Sequence, residues 1–416
     1  MVLYLVVSAI MRDFYAIPLS VALLVSSMWS VAVAGWIGNG NSDVKSSLSE
    51  RIEVFSREAG SSNIIYMIWI FILAGAFASL AKETGAIDAM VALTLRVIPD
   101  SMLVAGMFLA ACLISLSIGT SVGTVVALVP LSVELAHQGG IETSLFVAAV
   151  VGGAFFGDNL SFISDTTIAA TRTQGIKLKE KFKANLRIVL PAAIITLILY
   201  LFVGANGSHS ITVGEMNAPL VLPYLLIIIL ALTGMNVTLV LTCGILSAFI
   251  IALFYGHTPF ELAGYMGSGI NGMGELIIIT LLASGMLGMV KWMGGIEFLL
   301  DQLTRHIRGK RGTEGVIAIL VGLVNVCTAN NTVAILTTGK LARDIGEKYE
   351  IDARRRASIL DTASCIVQCM IPYGAQMLLA SSLAGLHPDN IMGYLYYPWI
   401  LTCTLALSII FKPKKR

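Results

Sequence analysis

The segment GDNLSFISDTT, residues 157–167, places Asp158 and Asp165 together with the hydroxyl and amide oxygens of Asn159, Ser161, Ser164, Thr166 and Thr167 between two apolar stretches, SLFVAAVVGGAFF and IAATRTQG. Three other segments have the same character. Thr120, Ser121 and Thr124 interrupt residues 102–136 at SIGTSVGT, and Thr328, Asn330, Asn331 and Thr332 interrupt 314–342 at NVCTANNT. Asp361, Thr362, Ser364 and Gln368 fall within 357–384, followed by Pro372-Tyr373-Gly374-Ala375-Gln376. Carboxylate, hydroxyl and amide oxygens make a shell for a hard cation. A carboxyl group kept from water is favoured in its neutral form, whereas a cation beside it favours the ionised form. A carboxylate that holds either a proton or Na⁺, but not both, is the smallest device that can exchange one for the other. Asp158 is the first choice for that role and Asp361 the second.

The surroundings say which elements must position these groups. Only 12% of the 416 residues are charged and 56% are hydrophobic, against about 25% charge in an ordinary soluble domain. Apolar runs of 16–22 residues recur along the chain, about the length that crosses roughly 30 Å of hydrocarbon. The expected class is an all-α polytopic membrane protein; a β-barrel would alternate apolar and polar residues instead. Spans are predicted at 15–36, 64–81, 143–172, 188–205, 219–234, 237–255, 273–291, 357–384 and 392–411. Residues 2–11 are too short to span and could be a trimmed first helix; no cleavable signal peptide is expected. Stretches 102–136 and 314–342 break into halves of 13–15 residues, which suits re-entrant hairpins, and 143–172 and 357–384 read as broken helices.

Within such a frame Asp158, Asp165 and Asp361 are the acidic residues that fall at mid-membrane breaks. A charge costs about 2.5–3.5 kcal/mol at the centre of a spanning helix, so three argue for function. Structural roles remain open: Asp158 could cap the next helix through the amides of Leu160 or Ser161, and Asp165 could pair with Arg172. The small Ser and Thr residues could serve close helix packing. Glu83, Glu134 and Glu275 read as interfacial, and Lys340 and Arg343 as reaching the cytoplasm.

Basic residues orient the chain. KLKEKFKANLR (177–187), RHIRGKRG (305–312), KLARDIGEKYEIDARRR (340–356) and KPKKR (412–416) are expected in the cytoplasm, with the C-terminus. AHQGGIET (136–143), VGANGSHSITVGEMN (203–217), YGHTPFELAGYMGS (255–268) and GLHPDN (385–390) lack Lys and Arg and read as external loops. The halves also repeat. GTSVGT (119–124) aligns with TANNTV (328–333) at an offset of 209, and GDNLS (157–161) with LDTAS (360–364) at 203. One half begins inside and the other outside, the plan of inverted repeats. The expected division is an N-terminal region (1–62), a first repeat (63–205), connecting helices (206–272) and a second repeat (273–416).

The six cysteines lie in apolar stretches and form no ligand cluster with histidine, and the five histidines lie in or beside loops. No cofactor, transition-metal site, enzymatic activity or nucleic-acid partner is expected; the partners are Na⁺, H⁺ and lipid.

GAFFGDNLSFISDTTIAATRTQG (153–175) resembles the signature of the NhaC family of Na⁺/H⁺ antiporters. The two-hairpin plan resembles the wider ion-transporter superfamily, in which hairpin tips rich in Ser, Thr and Asn line Na⁺ sites. Many family members have proline where this chain has Phe162. SILDTASCIVQCMIPYGAQ (358–376) resembles a subgroup linked to amino-acid or organic-acid transport. The resemblance implies exchange of Na⁺ or Li⁺ for H⁺ across the cytoplasmic membrane by alternating access. Asn159, Ser161, Ser164, Asp165, Thr166 and Ser364 would join Asp158 and Asp361 at the ion, and the hairpin tips would meet there. Homodimers are common in similar folds. The alternative is a coupled transporter of an amino acid or carboxylate, contacted by Gln368, Tyr373 and Gln376. A buried basic residue at the breaks would favour that alternative, and none is expected there.

Overall fold

A computed structural model of the chain describes residues 18–37, 46–162, 164–205, 217–296, 298, 302 and 309–411. Residues 2–11 and the terminal KPKKR lie outside them, as do most of the loop at 203–217 and half of that at 305–312. Among the described residues all regular structure is helical. The helices are α1 (Leu19–Ile37), α2 (Leu48–Ala59), α3 (Ser62–Glu83), α4 (Ala86–Val97), α5 (Leu103–Ile118), α6 (Ser121–Gly139), α7 (Thr143–Leu160), α8 (Asp165–Gln174), α9 (Leu178–Ala205), α10 (Ala218–Leu232), α11 (Val237–Phe254), α12 (Pro259–Gly272), α13 (Gly274–Trp292), α14 (Gly309–Thr328), α15 (Asn331–Lys348), α16 (Ala353–Met370), α17 (Ala375–Ala384), α18 (Pro388–Gly393) and α19 (Tyr396–Ile410). Eight continuous or once-broken helices are long and apolar enough to cross a membrane. The protein is a multi-pass, all-α membrane protein.

Helix α9 shows how the sequence builds such an element. Its outer face carries exposed Leu190, Ile194, Ile198 and Phe202, while Lys181, Asn185, Val189, Ala192, Thr196 and Tyr200 are buried along the other face. Polar groups point inward and apolar groups outward, as hydrocarbon requires. The helix starts at Leu178, ten residues before the predicted span at 188. Its charged first turns had the look of a loop, yet helical spacing turns Lys181 and Asn185 into the interior.

The two predicted interruptions are both present. Helices α5 and α6 meet at Gly119–Thr120, and α14 and α15 meet at Ala329–Asn330. Each hairpin packs against a broken helix, α7–α8 or α16–α17. The hairpin arms hold 16, 19, 20 and 18 residues rather than 13–15, and α6 and α14 alone have the length and apolarity of a span. The arms exceed the predicted halves because their polar ends continue as helix.

The predicted loop at 255–268 is also corrected. Residues 259–272 form α12, which lies along α3. Thr258 accepts the Glu261 amide while Glu261 accepts the Thr258 amide, and Pro259 occupies the first turn. This capping box is a helix-start signal that the glycine-rich sequence obscured.

The internal correspondence has a different register from the one the sequence suggests. Gly119 and Ala329, 210 residues apart, each turn the chain with positive φ, 73° and 46°. Ser115 Oγ donates to Ala154 O at 2.5 Å, and Asn325 Nδ2 donates to Ser364 O at 2.8 Å, again 210 apart on both sides. The breaks themselves, 161–164 and 371–374, follow the same shift. Asp158 therefore corresponds to Gln368, and Asp361 is not its counterpart. The offset of 203 misleads because seven residues are close to two helical turns, so both registers put polar groups on the same helix face.

Helix α7 is held unusually near α5. A Cβ at Gly153 would overlap Phe108 O, and one at Gly157 would overlap Leu116 N and Ser115. Small residues permit this approach, and it fixes the last turn of α7, where Asp158 sits. Gly157→Ala is expected to destabilise the protein by about 1–3 kcal/mol, the usual cost of overpacking. Thermal unfolding in detergent checks this.

Candidate ion-binding site

Four helix beginnings converge on one cavity of about 240 Å³. Its lining includes Thr120 and Ser121 at the start of α6, Asp165 and Thr166 at the start of α8, Asn330, Asn331 and Thr332 at the start of α15, and Gln376 at the start of α17. Asp158, from the last turn of α7, and Gln368, from α16, complete the polar wall, and Asn63 and Tyr66 from the first turns of α3 lie at another side. Helix beginnings carry partial positive charge and unpaired amides. Asp158 and Asp165 are the charged residues among the described lining, which contains no Lys, Arg or His.

Asp158 is 5% exposed. Ser121 Oγ donates to its Oδ2 at 3.0 Å, and Asn331 Nδ2 lies 3.5 Å from the same oxygen. Behind Ser121 a directed chain runs back to the second broken helix. Gln376 Nε2 donates to Ser121 Oγ at 3.0 Å, Gln368 Nε2 donates to Gln376 Oε1 at 3.1 Å, and Gln368 Nε2 also donates to Ala329 O at 3.0 Å. One carboxylate is thus tied to both hairpin tips and to both broken helices. Gln368 and Gln376, expected as solute contacts, serve this carboxylate network.

Asp158 does not cap α8. Ser164 does, accepting the Thr167 amide at 3.2 Å while its hydroxyl donates to Asp158 O at 2.7 Å. Asp165 is exposed at the cavity and makes no ion pair with Arg172, whose side chain is also exposed. The shared helix face anticipated by the seven-residue spacing does not bring the two charges together.

Asn330 lines the cavity, but its side-chain oxygen caps α15 by accepting the Val333 amide at 3.0 Å. Several other expected ligands do not line the cavity. Thr124 Oγ1 donates to Thr120 O and Thr328 Oγ1 to Asn330 O, so both hydroxyls brace a hairpin tip. Ser161 caps the end of α7 and is buried. Ser364 Oγ donates to Asp361 O. Tyr373 OH donates to Val326 O at 2.7 Å and holds the end of α14, away from the cavity.

Ala329 adopts φ 46° where the first hairpin has Gly119. A residue with a side chain pays about 1–2 kcal/mol in that region. Ala329→Gly is expected to raise stability by about 1 kcal/mol, measurable as a higher melting temperature.

Asp361 and Asn159 belong to a second, buried cluster that sequence reading missed. Lys181 Nζ lies 2.5 Å from Asp361 Oδ2, from Asn159 O and from Thr167 Oγ1. Asn185 Nδ2 donates to Asp361 Oδ2 at 2.9 Å and contacts Asn159 O and Oδ1. Lys181 is 1% exposed and Asp361 0%. A basic residue is therefore present at a break, contrary to expectation, but it is committed to Asp361. The ammonium also satisfies the main-chain carbonyl of Asn159 at the end of α7, a residue expected at the ion. The signal available in the sequence was the four-residue spacing of Lys181 and Asn185 on the same face as Val189, Ala192 and Thr196. Among the described residues, no cluster of His, Cys, Asp and Glu could hold a metal ion.

A profile of the Na⁺/H⁺ antiporter family matches residues 1–205, 153–267 and 210–412. The chain is 26% identical over 426 residues to the Na⁺/H⁺ antiporter NhaC of Bacillus subtilis, covering 94% of this chain and 91% of that one. It is 26% identical over 433 residues to NhaC of Alkalihalophilus pseudofirmus, covering 95% and 89%. It is also 21% identical over 431 residues to the malate-2H⁺/Na⁺-lactate antiporter of B. subtilis, covering 96% and 90%. With its whole length matched and its two hairpins and two broken helices gathered around one buried carboxylate, the chain belongs to the Na⁺/H⁺ antiporter family.

Proposed function

We propose that this protein exchanges Na⁺, or Li⁺, for H⁺ across the cytoplasmic membrane, with Asp158 holding either the metal ion or the proton. The observation that carries this reading is the cavity itself: its charged lining residues are two aspartates, Ser121 Oγ and the Asn331 amide contact the more buried one, and Thr120 and Thr332 also line the wall. A cavity of that sign attracts a cation. Four helix beginnings offset part of the carboxylate charge, so the unloaded site is tolerable in an apolar surrounding.

Alternating access has a simple structural counterpart in this reading. The cavity reaches Asn63 and Tyr66 at the start of α3, and in this reading that end of the molecule faces the cytoplasm, as do the basic loops and the C-terminus. A second cavity of about 390 Å³ is lined by Leu378, Ser381, Glu275 and His387. Helix α17 contributes Gln376 to the first cavity and Leu378 and Ser381 to the second. The described conformation is then open to the cytoplasm, and movement of the α16–α17 unit with its hairpin would pass the site to the other face.

A second reading has one observation in its favour. Helix beginnings also suit a carboxylate, so an organic acid could enter, as the name of the malate–lactate relative suggests for that protein. Against it, Asp158 and Asp165 already face those helix ends, and Lys181 is paired with Asp361 rather than with the cavity. The test is a Na⁺ pulse applied to proteoliposomes containing a pH dye. Na⁺-driven proton movement that K⁺ does not reproduce supports the antiporter. Proton movement only with added malate, lactate or an amino acid would support the second reading instead.

A further inference from the structure

The cluster around Lys181 is not used by exchange at Asp158, and its geometry is that of a cation site. Three oxygens lie 2.5 Å from Lys181 Nζ: a carboxylate oxygen of Asp361, the main-chain carbonyl of Asn159 and the hydroxyl of Thr167. They come from α16, α7 and α8, and the ammonium arrives from α9. A carboxylate, a carbonyl and a hydroxyl are the oxygen types that hold a hard metal ion. The ammonium has three protons to donate, one for each of these oxygens. Asn185, which donates to Asp361 and to Asn159 O, has its own Oδ1 buried without a hydrogen-bond partner. The cage adjoins the exchange site through the backbone, since Asn159 follows Asp158.

We propose that Lys181 is a tethered cation occupying a second cation site, so that the chain's own ammonium stands where a second Na⁺ would bind. This rests on the Na⁺/H⁺ reading above and extends it: Lys181 restricts the protein to one mobile Na⁺ per turnover. A lysine that merely joined α9 to α16 would leave Na⁺ stoichiometry unchanged when removed.

The experiment measures radioactive Na⁺ bound per chain at equilibrium, and the Na⁺ dependence of proton flux, for wild type, Lys181→Ala and the neutral double variant Lys181→Met/Asp361→Leu. Wild type is expected to bind about one Na⁺, Lys181→Ala about two with a Hill coefficient above one, and the double variant about one, because its cage has lost the carboxylate. Lys181→Ala should also gain more thermal stability from Na⁺ than wild type does, since an ion bound only by the folded state stabilises it. A folded Lys181→Ala that binds a single Na⁺ overturns the proposal. So does a Lys181→Ala that cannot be recovered even when purified in high Na⁺, because a site that accepts the ion would be filled under those conditions. Failure of the Na⁺/H⁺ reading itself is distinguishable: wild type would then bind no Na⁺ and show no Na⁺-driven proton flux.

Discussion

Asp158→Asn is expected to reduce Na⁺-driven proton flux by at least about 100-fold, the scale on which a positioned proton-transferring group acts, while leaving the protein folded. Asparagine keeps the shape and an oxygen that can accept from Ser121 Oγ, now 3.0 Å from the carboxylate. It loses the ability to alternate between an ionised and a protonated form. The chain Gln368–Gln376–Ser121 would persist, since its donors all point toward that oxygen. The informative comparison is flux in proteoliposomes against melting temperature in detergent. Loss of both together would make Asp158 structural.

The same substitution at Asp361 should act in the opposite way. Asp361→Asn leaves Lys181 buried without its carboxylate partner, and breaking a buried ion pair by removing one member costs about 3–5 kcal/mol. Asn185 would also lose its charged acceptor at 2.9 Å. Poor yield and a markedly lower melting temperature are expected. Replacing both members, as in Lys181→Met/Asp361→Leu, should recover most of the stability, because no uncompensated charge remains in the interior. If Asp361→Asn retained full thermal stability and lost only transport, the pair would be part of the moving machinery rather than of the frame.

These contrasting roles were only partly legible in the sequence. Asp158 stands out because aspartate is expensive in an apolar run, and the hairpin tips stand out because TANNT and GTSVGT interrupt long apolar stretches. Asp361 was visible as a charge but not as a partner. Its counterion lay in KLKEKFKANLR, where five basic residues and a glutamate read as one solvated block. Only the helical phase, which turns Lys181 inward and Lys179, Lys183 and Arg187 outward, separates it from its neighbours. The repeat register failed for a related reason: periodicity in apolar sequence is nearly degenerate over two turns, and the hydrogen bonds of Ser115 and Asn325 that distinguish 203 from 210 are tertiary. Asp165 illustrates the limit of composition, because the same residue type seven positions from Asp158 comes to lie exposed at the cavity.

The central claim, that one carboxylate holds either Na⁺ or a proton, is tested most directly by counting protons released as Na⁺ binds. Calorimetric titration of purified protein with NaCl, repeated in buffers of different ionisation enthalpy, yields that count without requiring transport. The account predicts about one proton released per Na⁺ bound, an apparent Na⁺ affinity that weakens as pH falls, and no release in Asp158→Asn. Na⁺ binding by wild type without proton release, or release that persists in Asp158→Asn, would contradict it.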